Sequence, residues 1–499
     1  MDKLVMEADC FLYPEHKGVS VSESQQGLKR NSLSALGIVI LVLSAASPLI
    51  GLTGAVPAAM VLGGGLATPV AYVIVGLILL LFAVGYVAMS RKVTNAGALY
   101  AYIGRGLGMR WGVTAATVAL WAYTTIQIAI YGFFGVVFSG QLAVWTGVEL
   151  PWWVASLLLL ILVQVFGWLQ IDIGAKVLLV LMALEWGIML LLSAVIGFSG
   201  GAGEGFALDQ VFDFKSILGA SFIIAIVFGF ASMFGFESSA LYGEEVRNPK
   251  KSVARATYAS VIAITLFFFI TSWMLIVGYG PSSAVDAAGA SLESGNPAAF
   301  VFDAGAQYLG PWAVDLMSIF VITSLFACTL AFHNGISRYL FTLGRDRVLP
   351  SSLGKAASNG APRTASVVQS LSIIVLVAPF VIAGADPVAT LFFWGSGVAV
   401  IGIIGLYLGS SISIIAYFKK NPDAETTLWQ RMIAPLLSAI VLAGALILII
   451  QNFEYLTGGT HDFALMLAGT VLVSAVIGLV LYSARKNHLS QEATKDLAS

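Results

Sequence analysis

Long hydrophobic runs alternate along the chain with short polar intervals. A helix needs about 20 predominantly apolar residues to cross the hydrocarbon core of a bilayer, which is about 30 Å thick, and each run reaches that length. The pattern predicts an all-α polytopic membrane protein with twelve membrane-spanning helices. We place them at residues 34–62, 67–90, 110–138, 151–170, 174–198, 217–242, 256–279, 308–335, 365–384, 388–417, 430–451 and 463–483.

The positive charges lie almost entirely in alternate intervals. If residues 1–33 form a cytoplasmic tail, the intervals after spans two, six, eight and ten are cytoplasmic, and together with the two tails they hold nearly all of the Lys and Arg residues. Lys215, just before span six, is the exception on the outer side. Because cytoplasmic loops carry the excess of Lys and Arg, both termini are predicted to be cytoplasmic, with residues 484–499 as the second tail. The outer intervals without Lys or Arg include 139–150, 280–307 and 452–462.

Two of the predicted spans contain residues that interrupt a helix. Pro48 lacks an amide hydrogen and clashes with the carbonyl four residues earlier, so span one is predicted to open between Ser44 and Gly51. Span six has glycines in its second half, and we place its interruption at residues 228–235. For any one glycine, close packing of helices is the simpler explanation. Interruptions in both the first and the sixth helix predict an inverted repeat of five plus five helices.

No linker rich in proline, serine or charge divides the chain, so we treat it as one membrane domain. The repeat prediction assigns residues 34–198 to the first five helices and residues 217–417 to the inverted second five. Residues 430–483 then form two further helices outside the repeat.

Composition and motifs exclude several classes of protein. The 499 residues are 59% hydrophobic and 10% charged, which excludes a soluble globular protein. The net charge of −1 gives no basic field for nucleic acid. Cys10 lies in a polar tail and Cys328 in an apolar run, and the four histidines are scattered, so we expect neither a disulfide nor a metal site. Without a phosphate loop or a nucleophile motif in the sequence, we expect neither an enzyme, an ATP-driven pump nor a cofactor.

Three stretches carry a resemblance to a known family. They are TNAGALYAY at 94–102, FGFESS at 234–239 followed by GEEVRNPKK at 243–251, and NGISRYLFTLGRDRVLP at 334–350. Over nearly its whole length the chain resembles the amino acid-polyamine-organocation transporter superfamily. It departs at Ala254, where the family often has proline, and at 97–98, where the family often has two glycines.

The resemblance implies a secondary active transporter, or permease, that moves an amino acid or a related amine across the cytoplasmic membrane by alternating access. The implied fold is leucine-transporter-like: the inverted repeat forms the core, the first and sixth helices are broken, and the last two helices are peripheral. The lipid bilayer is then the surrounding medium of the protein.

The two interruptions form the predicted substrate site. Amides at a helix N-terminus carry partial positive charge and suit a substrate carboxylate, whereas carbonyls at the C-terminal end of a half-helix suit an ammonium group. The amides are those of Leu49, Ile50 and Gly51, and the carbonyls are those of Phe228, Gly229 and Ala231. The hydroxyls of Ser44 and Ser47 either bind the carboxylate or satisfy freed backbone groups.

Side-chain selectivity is assigned to span three and to residues near the second interruption. Tyr123 and Gln127 share one face of span three at a spacing of four residues. They either line the pocket, as span three does in family members, or pack against other helices. Ala231 is small where some relatives carry a bulky aromatic residue, which predicts a roomier pocket, or one gated elsewhere by Phe234 or Trp394.

Among the carboxyl groups inside predicted spans, two are candidates for coupling or gating. Glu185 is about halfway along span five, where a charged group is unfavourable by roughly 2.5–3.5 kcal/mol; some proton-coupled relatives carry a lysine at about this point. We hypothesise that Glu185 takes up and releases the coupling proton. The alternative is a permanently protonated carboxyl bonded to a backbone carbonyl. Glu237 belongs to the family's span-six pattern, and we interpret it as a structural or gating residue that bonds loose backbone ends.

The main functional prediction is proton-coupled uptake of a small or medium neutral amino acid. Exchange of an amino acid for its amine, or for another amino acid, is the alternative within transport. Sodium coupling is a third possibility, in which the hydroxyls of Thr323 and Ser324 join backbone oxygens in a cage. A membrane sensor with the same fold would have the same sequence features.

Overall fold

The computed structural model describes residues 35–93, 98–169, 175–237, 239, 249–357 and 360–496. Within these ranges every regular element is a helix, as the all-α prediction requires. Parts of the stretches that carry the family resemblance, at 94–97 and 240–248, lie outside the described residues.

The helices follow one another along the chain as α1 Ala35–Ala46, α2 Pro48–Ile50, α3 Val56–Ala59, α4 Thr68–Ser90, α5 Ala98–Leu107, α6 Met109–Thr146, α7 Trp152–Leu169, α8 Ala175–Ser199, α9 Leu208–Val211, α10 Phe214–Ile217, α11 Phe222–Ser232, α12 Pro249–Tyr279, α13 Ala284–Glu293, α14 Ala299–Tyr308, α15 Pro311–Arg345, α16 Arg363–Ile382, α17 Phe393–Lys420, α18 Ala434–Gln451, α19 Phe453–Thr457 and α20 His461–Asp496. Wider π-helical turns lie at Gly51–Ala55, Met60–Gly64, Pro387–Phe392 and Trp429–Ile433, and a 3₁₀ turn lies at Gly65–Ala67.

In the part of the chain that the structure describes, ten helices are long and apolar enough to cross a membrane. A bent pair, Leu208–Ile217 and Phe222–Ser232, inclined by 109°, raises the number to eleven. One of the ten is the 43-residue segment Pro48–Ser90, which joins the end of predicted span one to span two. Its backbone leaves helical geometry at Gly63, with φ 175° and ψ −26°, and at Gly65, with φ 50° and ψ −138°. α1 has only 12 residues and is therefore too short to count alone.

The first helix is interrupted at Ser47, between α1 and α2. Ser47 has φ 42° and ψ 66°, the left-handed region that residues other than glycine rarely adopt. Its amide donates to the Leu43 carbonyl over 3.0 Å, and its carbonyl accepts the Ile50 amide over 2.9 Å. Pro48 occupies the first position of α2, where its missing amide hydrogen costs no helical bond. The opening predicted for span one therefore lies at a single residue.

The second interruption follows α11. This helix begins at Phe222 rather than at 217, and it continues to Ser232, whose Oγ donates to the Phe228 carbonyl over 2.7 Å. Gly235 has φ 101°, a conformation that glycine adopts without strain. The chain therefore leaves the helix at the end of the predicted interval 228–235, not at its beginning.

Several predicted loops and one predicted tail contain helices. α13 and α14 lie in the outer interval 280–307, and α5 lies in the inner interval after α4. α13 packs against α3, and α14 packs against Gly51–Ala55, so both outer helices contact the second half of the first span. α20 continues to Asp496, through most of the predicted tail 484–499.

Polar contacts join intervals that the charge pattern assigns to the same side of the membrane. Lys92, after α4, lies 3.1 Å from a carboxylate oxygen of Asp423 and 3.2 Å from one of Glu425, both between α17 and α18. Hydrogen bonds to Asp423 and Glu425 raise the pKa of Lys92 above its usual value. On the other side, Trp145 Nε1 donates to Asp315 Oδ1 over 2.9 Å. The first contact joins two predicted inner intervals, and the second joins two predicted outer ends.

Candidate functional site

A cavity of about 490 Å³ lies between the two helix interruptions. We call it the central cavity. This figure counts all of the empty space in the cavity, including the part that is open to solvent. The residues that line it carry no carboxyl, ammonium or guanidinium group, and its hydroxyls are those of Ser232 and Ser396. The cavity is therefore an apolar space closed by interrupted backbone.

Five of the residues predicted for substrate binding line this cavity: Ile50, Gly51, Phe228, Ala231 and Phe234. The first two come from the first interruption and the others from α11 and the turn after it. A side chain at Gly51 would place its Cβ 2.6 Å from the Phe268 ring, so only glycine allows α12 to pack this closely.

Two of the three predicted amides of the first interruption already donate hydrogen bonds within the chain. The Ile50 amide donates to the Ser47 carbonyl over 2.9 Å, and the Gly51 amide donates to the Pro48 carbonyl. Leu49 is buried, and its carbonyl accepts Thr53 Oγ1 over 2.8 Å.

Span three faces the cavity with different residues from those predicted. Ile126 and Ile130 of α6 line it, whereas Tyr123 and Gln127 point elsewhere. Tyr123 donates to Glu237 Oε1 over 3.0 Å. Gln127 donates to the Thr329 carbonyl and accepts Gln369 Nε2 over 2.8 Å. Both polar side chains thus tie α6 to other segments, and the wall that α6 gives to the cavity is apolar.

Four further lining residues lie on two segments for which the sequence predicted no substrate-binding residue. Cys328 and Phe332 of α15 are one turn apart, and Phe392 and Ser396 flank the start of α17. The Gly-Ser-Gly at 395–397, small and polar within an apolar run, is the one feature of the sequence that indicates that this segment lines a cavity.

Three other predicted residues lie away from the cavity or outside the description. A Cβ at Gly229 would meet Val75 at 3.0 Å, so this glycine allows α11 to pack against α4. Trp394 Nε1 donates to the Thr457 carbonyl over 3.0 Å, which ties α17 to α19. The side chain of Ser44 lies outside the described residues.

A second cavity of about 290 Å³ contains Glu185, and we call it the carboxyl cavity. Ser47, Thr323 and Ser324 line it, together with Leu43, Leu181, Met182 and Ala327. Glu185 is 6% exposed, and its Oε2 accepts Ser324 Oγ over 3.1 Å. Ser47, predicted for substrate binding, therefore belongs to the cavity of Glu185.

Glu237 forms a buried cluster beyond the second interruption. Its Oε1 accepts Tyr123 Oη over 3.0 Å, and its Oε2 accepts Tyr407 Oη over 2.9 Å and the Gly235 amide over 3.0 Å. Tyr86 Oη donates to the Glu237 carbonyl. The cluster joins α4, α6 and α17 to the chain after α11, and its carboxyl holds a loose backbone amide, the kind of contact we expected of Glu237.

Metal binding finds no support among the described residues, where no three His, Cys, Asp or Glu side chains are grouped so as to hold an ion.

Comparison with known proteins gives a consistent picture. The profile of the family described as "Amino acid permease" matches residues 37–497. The chain is 24% identical to the gamma-aminobutyric acid permease of Bacillus subtilis (strain 168), over 95% of this chain and 97% of that protein. It is 26% identical to the branched-chain amino acid permease of Lactococcus lactis subsp. cremoris (strain MG1363), over 61% and 66% of the two chains. It is also 26% identical to the cadaverine/lysine antiporter of Escherichia coli (strain K12), over 56% of each chain.

Proposed function

Because the chain belongs to the amino acid permease family, we propose that it takes up amino acids across the cytoplasmic membrane as a secondary active transporter, by alternating access and with a proton as the coupling ion. The observation that carries this proposal is the placement of two cavities at the first interruption. The central cavity lies between the two interruptions, and the carboxyl cavity, with Glu185, shares the segment around Ser47.

The central cavity suits the two charges that every α-amino acid carries. We propose that the helical segment that starts at Pro48 turns its positive end toward one part of the cavity and that the carbonyl end of α11 lies at another, because Ile50 and Ala231 of these segments line it. A substrate carboxylate is proposed to lie near the first and an ammonium group near the second. Partial charges on the backbone then bind both groups without an ionised side chain.

The substrate is proposed to be a neutral amino acid with an apolar side chain. The cavity walls from α6 and α15 are formed by Ile126, Ile130, Cys328 and Phe332. These walls favour apolar groups because burying a polar or charged group without a partner is costly. A second charge on the substrate would meet no ionised partner among these residues.

Glu185 is proposed to carry the proton. It is buried, lies in its own cavity and has a hydroxyl partner in Ser324. An ionisable group at membrane depth that faces a cavity and not lipid is a functional candidate by default. Sodium coupling at the same place would use Thr323 and Ser324, and the transport experiment below separates the two ions.

The membrane topology is proposed to have twelve spans, ten in an inverted five-plus-five repeat and two further helices after it. Both termini are proposed to lie in the cytoplasm. A continuous helix of the length of Pro48–Ser90 would extend about 65 Å at 1.5 Å per residue, twice the bilayer core. The non-helical backbone at Gly63 and Gly65 favours two spans within it. The other added span is α11 together with the chain after Gly235.

The Glu237 cluster is proposed to close the cytoplasmic side of the central cavity. On the proposed topology α11 runs inward, so Glu237 lies on the cytoplasmic side of Phe234. Its bonds to Tyr123 and Tyr407 join segments that must separate for a substrate to leave on that side.

Uptake into proteoliposomes tests the proposal. The purified protein is given a mixture of labelled amino acids with an inward proton gradient, with an inward sodium gradient, or with neither gradient but with unlabelled amino acids inside. Accumulation that requires the proton gradient supports the proposal. Accumulation that requires only the sodium gradient would mean that the coupling ion is sodium and not a proton.

Exchange is the second candidate function, favoured by the relative named as an antiporter. Flux confined to the preloaded vesicles would make this protein an exchanger and would leave Glu185 without a coupling role.

A further inference from the structure

Ser47 lies between the two cavities. Its side chain lines the carboxyl cavity, whereas its neighbours Ala46 and Ile50 line the central cavity. The same division recurs on α15, where Ser324 lines the carboxyl cavity and Cys328 lines the central one. The wall between the cavities is therefore built from Ser47 and one turn of α15.

One face of α15 contacts both the carboxyl group and the interrupted segment. Ser324 Oγ donates to Glu185 Oε2 over 3.1 Å, and the Cys328 thiol lies within hydrogen-bonding reach of the Ser47 side chain. Ser324 and Cys328 are four residues apart, so their side chains lie on the same face of the helix. Among the residues that line the carboxyl cavity, Glu185 is the one ionisable group, and the Cys328 thiol faces it from across the wall.

The backbone at Ser47 depends on these surroundings. With φ 42° it holds a left-handed conformation that a residue with a Cβ keeps only where its contacts impose it. Ser47 is also the joint between α1 and α2, so a change in its dihedral angles moves Ala46 and Ile50 relative to each other. A change in the contacts of the Ser47 side chain is thus also a change in the shape of the central cavity.

We propose that Ser47 is a positioning residue that couples the proton on Glu185 to the shape of the central cavity. While Glu185 holds the proton taken up from outside, the Ser47 hydroxyl stays with Cys328. When the proton leaves to the cytoplasm, the carboxylate can only accept hydrogen bonds, and it takes the Ser47 hydroxyl as a second donor beside Ser324. Ser47 then turns away from Cys328 and shifts Ala46 and Ile50. This inference rests on the proposed proton coupling.

The test is the substrate gradient at which net flux stops in proteoliposomes under an imposed pH gradient, with the membrane potential clamped at zero. For one proton per substrate, a difference of one pH unit holds about a tenfold substrate gradient. This zero-flux gradient is an equilibrium property, so a variant that is only slower or less abundant reaches the wild-type value. Substitution of a residue with a purely structural role would not change the zero-flux gradient.

We expect Ser47→Ala and Ser47→Gly to lower the zero-flux gradient toward equal concentrations on the two sides. Cys328→Ala is expected to act in the same direction, whereas Cys328→Ser keeps a polar partner for Ser47 and retains the wild-type value. Ser396→Ala is the matched control: it removes a hydroxyl that lines only the central cavity, and it is expected to raise KM without moving the zero-flux gradient.

Wild-type zero-flux gradients in both Ser47 variants would overturn the inference and leave the proposed function intact. A wild-type protein that holds no gradient under the pH difference would instead overturn proton coupling itself.

If the Ser47 variants carry no flux, the rate at which Cys328 is labelled tests the inference instead. In a Cys10→Ser background Cys328 is the single thiol, and its reaction with a small neutral thiol reagent is followed at alkaline pH. Glu185→Gln resembles the protonated state, so Ser47 stays with Cys328, where its hydroxyl favours the thiolate that reacts. Labelling should therefore be faster than with Glu185, both for this reason and because the charge of Glu185 is gone. Adding Ser47→Ala separates the two causes: an increase that is equally large without the Ser47 hydroxyl would overturn the inference.

Discussion

Glu185 is the residue on which proton coupling depends in the proposed function. Glu185→Gln keeps the size of the side chain and an oxygen that accepts from Ser324, but it cannot bind and release a proton. We expect the variant to lose accumulation driven by a pH gradient, a loss of about tenfold for a gradient of one unit and one proton per substrate. The measurement is uptake into proteoliposomes with and without the gradient.

A control for the chemical change itself is Glu204→Gln. Glu204 lies outside the predicted spans, and its carboxylate accepts the Ser282 hydroxyl and amide, bonds that lower the pKa of Glu204. This substitution should leave gradient-driven accumulation at the wild-type level. Unchanged accumulation in Glu185→Gln as well would assign Glu185 a structural role.

Ala231 sets the space available in the central cavity between α11 and the other walls. Ala231→Leu adds three carbon atoms to a lined space, and one methylene group in a hydrophobic pocket is worth about 1–3 kcal/mol. We expect KM to rise about tenfold or more for amino acids with branched or aromatic side chains, and less for glycine. Competition against labelled uptake measures this. Ala183→Leu, on an exposed face of α8, is the control, and an equal effect at both positions would contradict the assignment.

At the scale of the helices, the sequence predicts interruptions better than rotations. Pro48 and Gly235 change the backbone whatever surrounds them, so both interruptions could be predicted from residue type. The orientation of span three could not be predicted, because a membrane helix is apolar on both its lipid-facing and its core-facing sides. Hydrophobic periodicity therefore does not indicate which side of such a helix faces the core. The sequence therefore leaves open whether Tyr123 and Gln127 line the pocket or pack against other helices, whereas in the structure Ile126 and Ile130 line it.

The helices of the outer interval 280–307 were missed for a different reason. α13 and α14 are only ten residues each, and Gly295 and Pro297 lie between them. Short helices derive most of their stability from packing, and here α13 packs on the second half of the first span, whereas α14 packs mainly on α15. The packing partners of these short helices cannot be identified from a single sequence.

The ion pairs of Lys92 tie the end of α4 to the segment between α17 and α18. Since its partners raise the pKa of Lys92, this stabilising contribution is fully present below the pKa of an unfolded lysine, about 10.4, and is lost only as the pH rises through the folded value. We expect Lys92→Gln to lower the melting temperature slightly in dilute buffer, equally across neutral pH. The difference should shrink at high salt, because salt screens exposed charges.

Thermal unfolding of both proteins in detergent at low and high salt measures this. A difference that salt does not change would mean that Lys92 acts through packing and not through its charge. Arg485→Gln, an exposed charge at the end of the last predicted span, is the matched control and should have no effect.

At the scale of the whole molecule, the central cavity lies between two sets of contacts. α13 and α14 contact the outer half of the first span, and the Glu237 cluster joins α4, α6 and α17 on the proposed cytoplasmic side. A transporter that works by alternating access must break one set while it keeps the other. The relative strength of the two sets then determines which conformation is more populated.

Weakening the inner set should therefore shift the population toward the inward-open state. The double substitution Tyr123→Phe and Tyr407→Phe removes both side-chain donors to the Glu237 carboxyl and keeps the rings in place. Each hydrogen bond is worth about 0.5–1.5 kcal/mol, so the loss of both changes the ratio of the two conformations by about five-fold or more. With Cys10 replaced by serine, labelling of Cys328 in the central cavity measures access to that cavity. We expect a membrane-impermeant thiol reagent to label Cys328 faster from the cytoplasmic face.

The control is Tyr279→Phe, which removes the hydroxyl that donates to the Phe300 carbonyl on the proposed outer side. This substitution should not increase cytoplasmic labelling. Faster labelling from the outer face in the double variant would place the Glu237 cluster on the wrong side of the cavity and reverse the proposed topology.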